Sequence, residues 1–170
     1  ERQRSMCLTV SAVAGSPRFT AIQVATSRIV KEILGRSALV FATPNKEGNL
    51  DFNAQFTDAD DDSMTEEGRG TSFRQILCAA FDLAVLASYG NEAFFHFVYH
   101  DGALERLETK RKVALLEVVR RVCAEHNVQY IFSALAEDLP SGPEAEKVTP
   151  KPEEIAVEMG LTPGVFSANG

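Results

Sequence analysis

The sequence predicts an α/β domain with parallel core strands, flanking helices and an N-terminal antiparallel hairpin. Three observations predict it. Two short apolar runs, residues 94–99 and 128–133, bracket a helical pattern over about 109–126. Strand, helix and strand in so short a span make a right-handed βαβ crossover with parallel strands. Upstream, Leu50, Phe52, Ala54 and Phe56 alternate with polar residues, as a half-buried antiparallel strand does. Finally, 170 residues that are 45% hydrophobic and 24% charged suit one well-buried core rather than two.

Each element has a local reason. Residues 1–17 form an unpatterned lead-in, expected to be the end of a coiled coil or linker. Ser16-Pro17 reads as a helix N-cap followed by proline at the first helical position. Phe19, Ile22, Ile29, Val30, Ile33 and Leu34 then share one helical face, Val24 falls off it, and Gly35 is a C-terminal stop. Residues 38–43 read as a strand, and 44–49 have hairpin-turn composition. An acidic, glycine-containing loop over about 57–71 is expected to be mobile. The next helix, about 72–88, has a broad apolar face that includes Phe73, Ile76, Leu77, Ala80 and Phe81. The main domain runs over 18–140. Residues 141–170 are a proline-rich connector, a short helix over 152–159 and a loose tail.

Composition excludes several classes. The net charge of −7 argues against a nucleic-acid-binding surface over the whole domain. No apolar run reaches the roughly 18 residues of a membrane span. No secretory signal is recognisable. Cys7, Cys78 and Cys123 are odd in number and far apart, which fits buried thiols in the reducing cytoplasm rather than disulfides or a zinc site. A chain that begins with Glu1 is expected to be a fragment of a longer protein.

The most informative stretch runs from Phe94 to Glu108. An apolar strand ends in one carboxylate, Asp101, and Leu107-Glu108 follows six to seven residues on. A carboxylate at the tip of a central parallel strand can hold Mg²⁺ beside a phosphate. It can equally cap a turn. Glu108 reads either as a cap for the next helix or as a contact to a partner across a nucleotide. His96 and His100 fall on the face opposite Asp101, which makes a metal site from this strand alone unfavourable, and both read as partly buried structural residues. Gly70, Thr71 and Ser72 open the long helix. They suit a bound phosphate, or an ordinary N-cap by Thr71 or Ser72. Arg106, Lys110, Arg111 and Lys112 read as a solvated helix face. The sequence carries no GxxxxGK[ST], GxGxxG, HExxH or GxSxG pattern.

The order of these pieces resembles the C-terminal lobe of an ABC-type (P-loop NTPase) head, in the SMC-like and RecN-like branch. It is most similar to the YydD-like family, domain of unknown function 2326. The resemblance rests on Gly48-Asn49-Leu50 with its strand, on the run from Ile76 to Ala84, on His100-Asp101, and on Gln129-Tyr130-Ile131 through Asp138-Leu139-Pro140. It implies that Gly70, Thr71 and Ser72 contact the γ-phosphate of ATP on an opposing head. It implies that Asp101 is the Walker B aspartate, holding Mg²⁺ through water. Leu107 and Glu108 would stand at the D-loop, and Ser133 and Ala134 at the switch position.

Two departures bear on activity. The catalytic carboxylate that the resemblance leads one to expect after Asp101 is replaced by Gly102, and the switch position holds Ala134. A glycine cannot polarise an attacking water. The expected function is the C-terminal half of an SMC-like ATPase head. It would bind Mg²⁺ and ATP only with its N-terminal half, form a homodimer of heads, and act on DNA in repair, chromosome organisation or defence. Glu108 is a second candidate catalytic carboxylate. The isolated chain is expected to lack cofactor and activity. The alternative is a catalytically degenerate, head-like interaction or dimerisation module.

Overall fold

The computed structural model describes residues 15–45, 47, 49–56 and 70–157. The lead-in, most of the acidic loop, Gly48 and the tail from 158 lie outside the described residues. The elements are α1 (Pro17–Leu34), β1 (Ala38–Pro44), β2 (Leu50–Phe56), α2 (Thr71–Tyr89), β3 (Phe97–His100), α3 (Thr109–His126) and β4 (Gln129–Phe132). Single 3₁₀ turns follow at Ala136–Asp138 and Pro152–Glu154.

Local chemistry sets the boundaries. The Ser16 hydroxyl accepts from Phe19 N–H at 3.1 Å, and Pro17 opens α1. Gly35 closes it at φ 72°, its N–H donating to the Lys31 carbonyl, a conformation that costs glycine little. Asn127 plays the same part at the end of α3, at φ 52°. The hairpin turn is an Asx turn, in which Asn45 Oδ1 accepts from the backbone of Glu47 and Asn49 at 3.1 and 2.9 Å. β1 and β2 are antiparallel, with Val40 opposite Ala54. Phe52 lies beside Phe19 and Phe81, with ring centroids 6.2 and 5.4 Å away.

The core forms where α1, α2 and α3 meet. Val30, Ile76, Leu83 and Leu115 are among its fully buried side chains. Thr26 is buried on α1 as well, and its hydroxyl donates to the Ile22 carbonyl at 2.8 Å. That bond removes the penalty for a hydroxyl in the core.

β3 and β4 run parallel, with Val98 opposite Tyr130 and His100 opposite Phe132, as the βαβ spacing predicts. They do not form the expected central sheet. The described strands make two separate two-stranded sheets, so β3 has β4 as its single neighbour. β3 is also shorter than the apolar run. Phe94 turns aside to stack on Tyr89 at 4.4 Å, and the ladder begins only where Gln129 N–H donates to the His96 carbonyl. His96 therefore lies outside the strand and is exposed, unlike the partly buried residue expected.

Two further expectations change. Lys112 is buried rather than solvated, and its ammonium faces Asp138 at 3.4 Å. The connector after residue 139 is packed. Ala145 and Val148 enter the core, and Arg120 donates to the carbonyls of Val148 and Thr149, both at 3.3 Å. The same guanidinium holds Glu154 through two hydrogen bonds, at 2.6 and 2.8 Å. Of the short helix expected here, the 3₁₀ turn is what forms among the described residues.

Arg120, and then the Lys151 N–H, hold the Glu154 carboxyl down to about 2. Its folded pKa lies below its unfolded one, so the stabilisation is full above the ordinary carboxylate pKa and disappears as pH falls toward 2. The pair is about two-fifths exposed, which keeps the effect modest. Thermal melting across pH is expected to show Glu154→Gln less stable than wild type at pH 7, with the gap closing between about pH 5 and 2. A gap independent of pH would show that the pair does not anchor the connector.

Candidate functional site

The strand pair has an inward and an outward face. Val98, His100, Tyr130 and Phe132 turn toward the helices and are half-buried. Phe97, Tyr99 and Ile131 turn outward and are 52%, 55% and 39% exposed. Asp101 follows β3 directly and is exposed.

The chain then makes a tight turn over residues 101–106. Gly102 sits at φ 61° and Arg106 at φ 56°, both left-handed. Glu105 N–H donates to the Gly102 carbonyl at 3.0 Å. The Glu105 carboxylate folds over Gly102, so that a Cβ on Gly102 would lie 2.7 Å from Oε1. Ala103, Leu104 and Leu107 are buried and pin the turn to the core.

Ser133, at the end of β4, braces this turn. Its hydroxyl accepts from Gly102 N–H at 3.0 Å and donates to Asp101 Oδ1. One hydroxyl therefore satisfies a backbone donor and orients a carboxylate. Two residues singled out on separate strands are thus brought into direct contact.

Helix α2 is joined to the same segment at three points. Ser72 Oγ donates to the Arg106 carbonyl at 3.1 Å. Gln75 Nε2 donates to the Gly102 carbonyl at 2.5 Å. Asp82 Oδ2 meets His100 Nε2 at 2.8 Å, and His100 Nδ1 meets the Tyr130 hydroxyl at 2.6 Å. A cleft of about 230 Å³ lies between α2 and β3, lined by residues that include Gln75, Cys78, His100, Asp101 and Tyr130. Cys78 is exposed rather than buried. Partial burial, and then Asp82, push its thiol pKa up, so it is held as the unreactive thiol.

The remaining candidates fall as follows. Gly70, not Thr71 or Ser72, is the N-cap of α2; no side chain caps this helix. Glu108 occupies the N-cap position of α3, but its carboxylate caps nothing, and its carbonyl accepts from Lys112 N–H at 2.9 Å. Leu107 is 6% exposed, so its side chain serves the core. Among the described residues, no three His, Cys, Asp or Glu side chains cluster to hold a metal.

Sequence reading missed Gln75, Asp82 and Tyr130. Asp82 carried a usable signal, as a lone acid within the apolar run from Ile76 to Ala84. A carboxylate there needs a partner. Gln75 stands seven residues, two helical turns, before it on the same face.

A family model for an uncharacterised protein conserved in bacteria (DUF2326) matches residues 29–162. The chain belongs to this family. A crystal structure of the SMC head bound to the C-winged helix domain of ScpA shares its fold, with a TM-score of 0.52 and 16% identity. The match covers 77% of this chain and 42% of that one, so the chain spans less than half of the solved head. Comparison with curated proteins gives no match. No described helix is long and apolar enough to cross a membrane.

Replacing Ser133 by alanine strands the Gly102 N–H and removes the donor on Asp101. Ser133→Ala is expected to cost about 1–2 kcal/mol in urea unfolding. It should also move the side-chain carboxyl ¹³C signal of Asp101. No change in either would show that the hydroxyl does not brace the turn.

Proposed function

We propose that this DUF2326 chain is the C-terminal half of an SMC-like ATPase head, completed by an N-terminal half that carries the phosphate loop. One observation carries the reading: among the described residues, the parallel pair β3–β4 is covered by helices on one face only. Its outward face exposes Phe97, Tyr99 and Ile131, and Asp101 stands at its C-terminal tip. Parallel sheets are ordinarily covered on both faces. An exposed apolar face of this type marks an interface, and the N-terminal half is the layer that would cover it. The likeness to an SMC head of which the match covers 42% supports the same view.

In the completed head, Asp101 would hold Mg²⁺ through water, its carboxylate aimed by Ser133. Bound Mg²⁺ would neutralise phosphate oxygens during phosphoryl transfer. The start of α2 at Gly70, Thr71 and Ser72 would face the γ-phosphate of ATP on an opposing head, where backbone N–H groups and the helix dipole suit an anion. Leu107 and Glu108 would border the dimer seam. The full protein would act on DNA as a homodimer of heads.

A second reading is supported by Gly102 and Ala134. At φ 61°, position 102 strains any L side chain, and neither residue offers a group to polarise water or contact phosphate. A head of this kind binds nucleotide and associates without fast turnover.

Co-expression of the N-terminal half with this chain is expected to give a complex that binds Mg·ATP, with Asp101→Asn weakening that binding at least tenfold. A complex that ignores ATP would sink the ATPase reading. Turnover faster than about 1 s⁻¹ would eliminate the degenerate one. The double variant Phe97→Glu, Ile131→Glu is expected to abolish complex formation while the chain stays folded by circular dichroism. Undiminished assembly would place the seam elsewhere.

A further inference from the structure

From β3, His100 bonds both α2 and β4. Asp82 belongs to α2 and can only accept, so Nε2 must carry the imidazole proton. Nδ1 is then an acceptor, and the donor facing it is the Tyr130 hydroxyl of β4. Burial, and then Asp82, push the Tyr130 pKa up, so its hydroxyl keeps the proton it donates. The two rings meet edge to face, with centroids 5.2 Å apart and an interplanar angle of 81°. One tautomer therefore satisfies all three groups; the opposite one leaves Nε2 with no proton to give Asp82, although the Tyr130 hydroxyl can still accept from Nδ1–H.

This joint lies next to Asp101 in the chain. It also runs on through side chains from α2 to β4. Ser72 and Gln75 end at backbone carbonyls of the turn. Through Tyr130, the Asp82–His100 contact reaches the strand whose end supplies Ser133.

We propose that His100 is the positioning residue of the Asp101 site. As the Nε2–H tautomer clamped between Asp82 and Tyr130, it makes α2 and the Asp101 turn one mechanical unit. Occupancy of the α2 N-terminus is then felt at the carboxylate. This last consequence rests on the proposed nucleotide reading; the clamp itself does not. A glutamine amide also offers one donor and one acceptor, so His100→Gln can preserve the clamp. His100→Phe and Tyr130→Phe cannot.

The test uses the full chain and long-range ¹H–¹⁵N spectra at a fixed pH, with His96 and His126 as internal references. Wild-type His100 is expected as a single Nε2–H tautomer. Tyr130→Phe is expected to keep that tautomer, which Asp82 fixes, while the Nδ1 signal shifts as its hydrogen bond from the Tyr130 hydroxyl is lost. Tyr130→Phe and His100→Phe are both expected to speed exchange of the Gly102 amide about tenfold, while His100→Gln stays within about twofold. The Val30 amide, in the fully buried middle of α1, reports global unfolding and should not move. An Nδ1–H tautomer in the wild type would overturn the proposal. So would a Gly102 amide unmoved by both phenylalanine variants.

Mg·ATP added to the co-expressed head separates the two readings. If the wild-type Asp101 carboxyl signal ignores it while the exchange pattern holds, the nucleotide reading fails and the clamp stands. If the signal responds equally in wild type and Tyr130→Phe, the clamp does not govern the site.

Discussion

The candidate site depends on two four-residue strands being held parallel. α3 imposes this arrangement by returning the chain across the inner face of the pair. Once β3 and β4 lie in register, residues 32 apart in sequence become neighbours at one end, and Ser133 meets Asp101. Antiparallel pairing of the same runs would send the two residues to opposite ends. The anchors that keep α3 in place are accordingly elaborate. A row of valines and leucines faces the core, Lys112 is neutralised by Asp138, and Arg120 draws the later connector over the helix.

The polar contacts of α2 follow from that placement. A helix packed through Ile76, Ala80 and Leu83 against α1 and α3 must bring any polar side chain at its margin against the strand tips. Ser72, Gln75 and Asp82 are those side chains, and each finds a partner between residues 100 and 106. Burial of polar atoms without partners would cost more than the hydrogen bonds themselves contribute. The network at Asp101 is thus a consequence of core packing as much as a device for binding.

The turn after β3 bears on the departure at Gly102 from the pattern that the sequence resemblance implies. Left-handed backbone at residue 102 suits glycine, and the space beside it is taken by the Glu105 carboxylate. That carboxylate is the end of a flexible side chain, so it is chiefly the left-handed backbone that disfavours a longer side chain there. The local geometry that presents Asp101 is the same geometry that removes a second acid from the next position.

Local chemistry alone determined a good part of this protein. Ser16-Pro17, Gly35 and the 3.6-residue spacing marked α1, alternation marked β2, and short apolar runs around a helix marked the parallel pair. These features act within one or two turns of chain, so they can be read in order from the sequence. It took the tertiary structure to decide the rest. Lys112 was buried, the connector was drawn into the core, His96 left its strand, and Glu108 capped nothing. The joint through Asp82, His100 and Tyr130 gathers residues from three elements, and no local rule encodes their meeting. That meeting depends on which helix face the core accepts and on the strand register that follows.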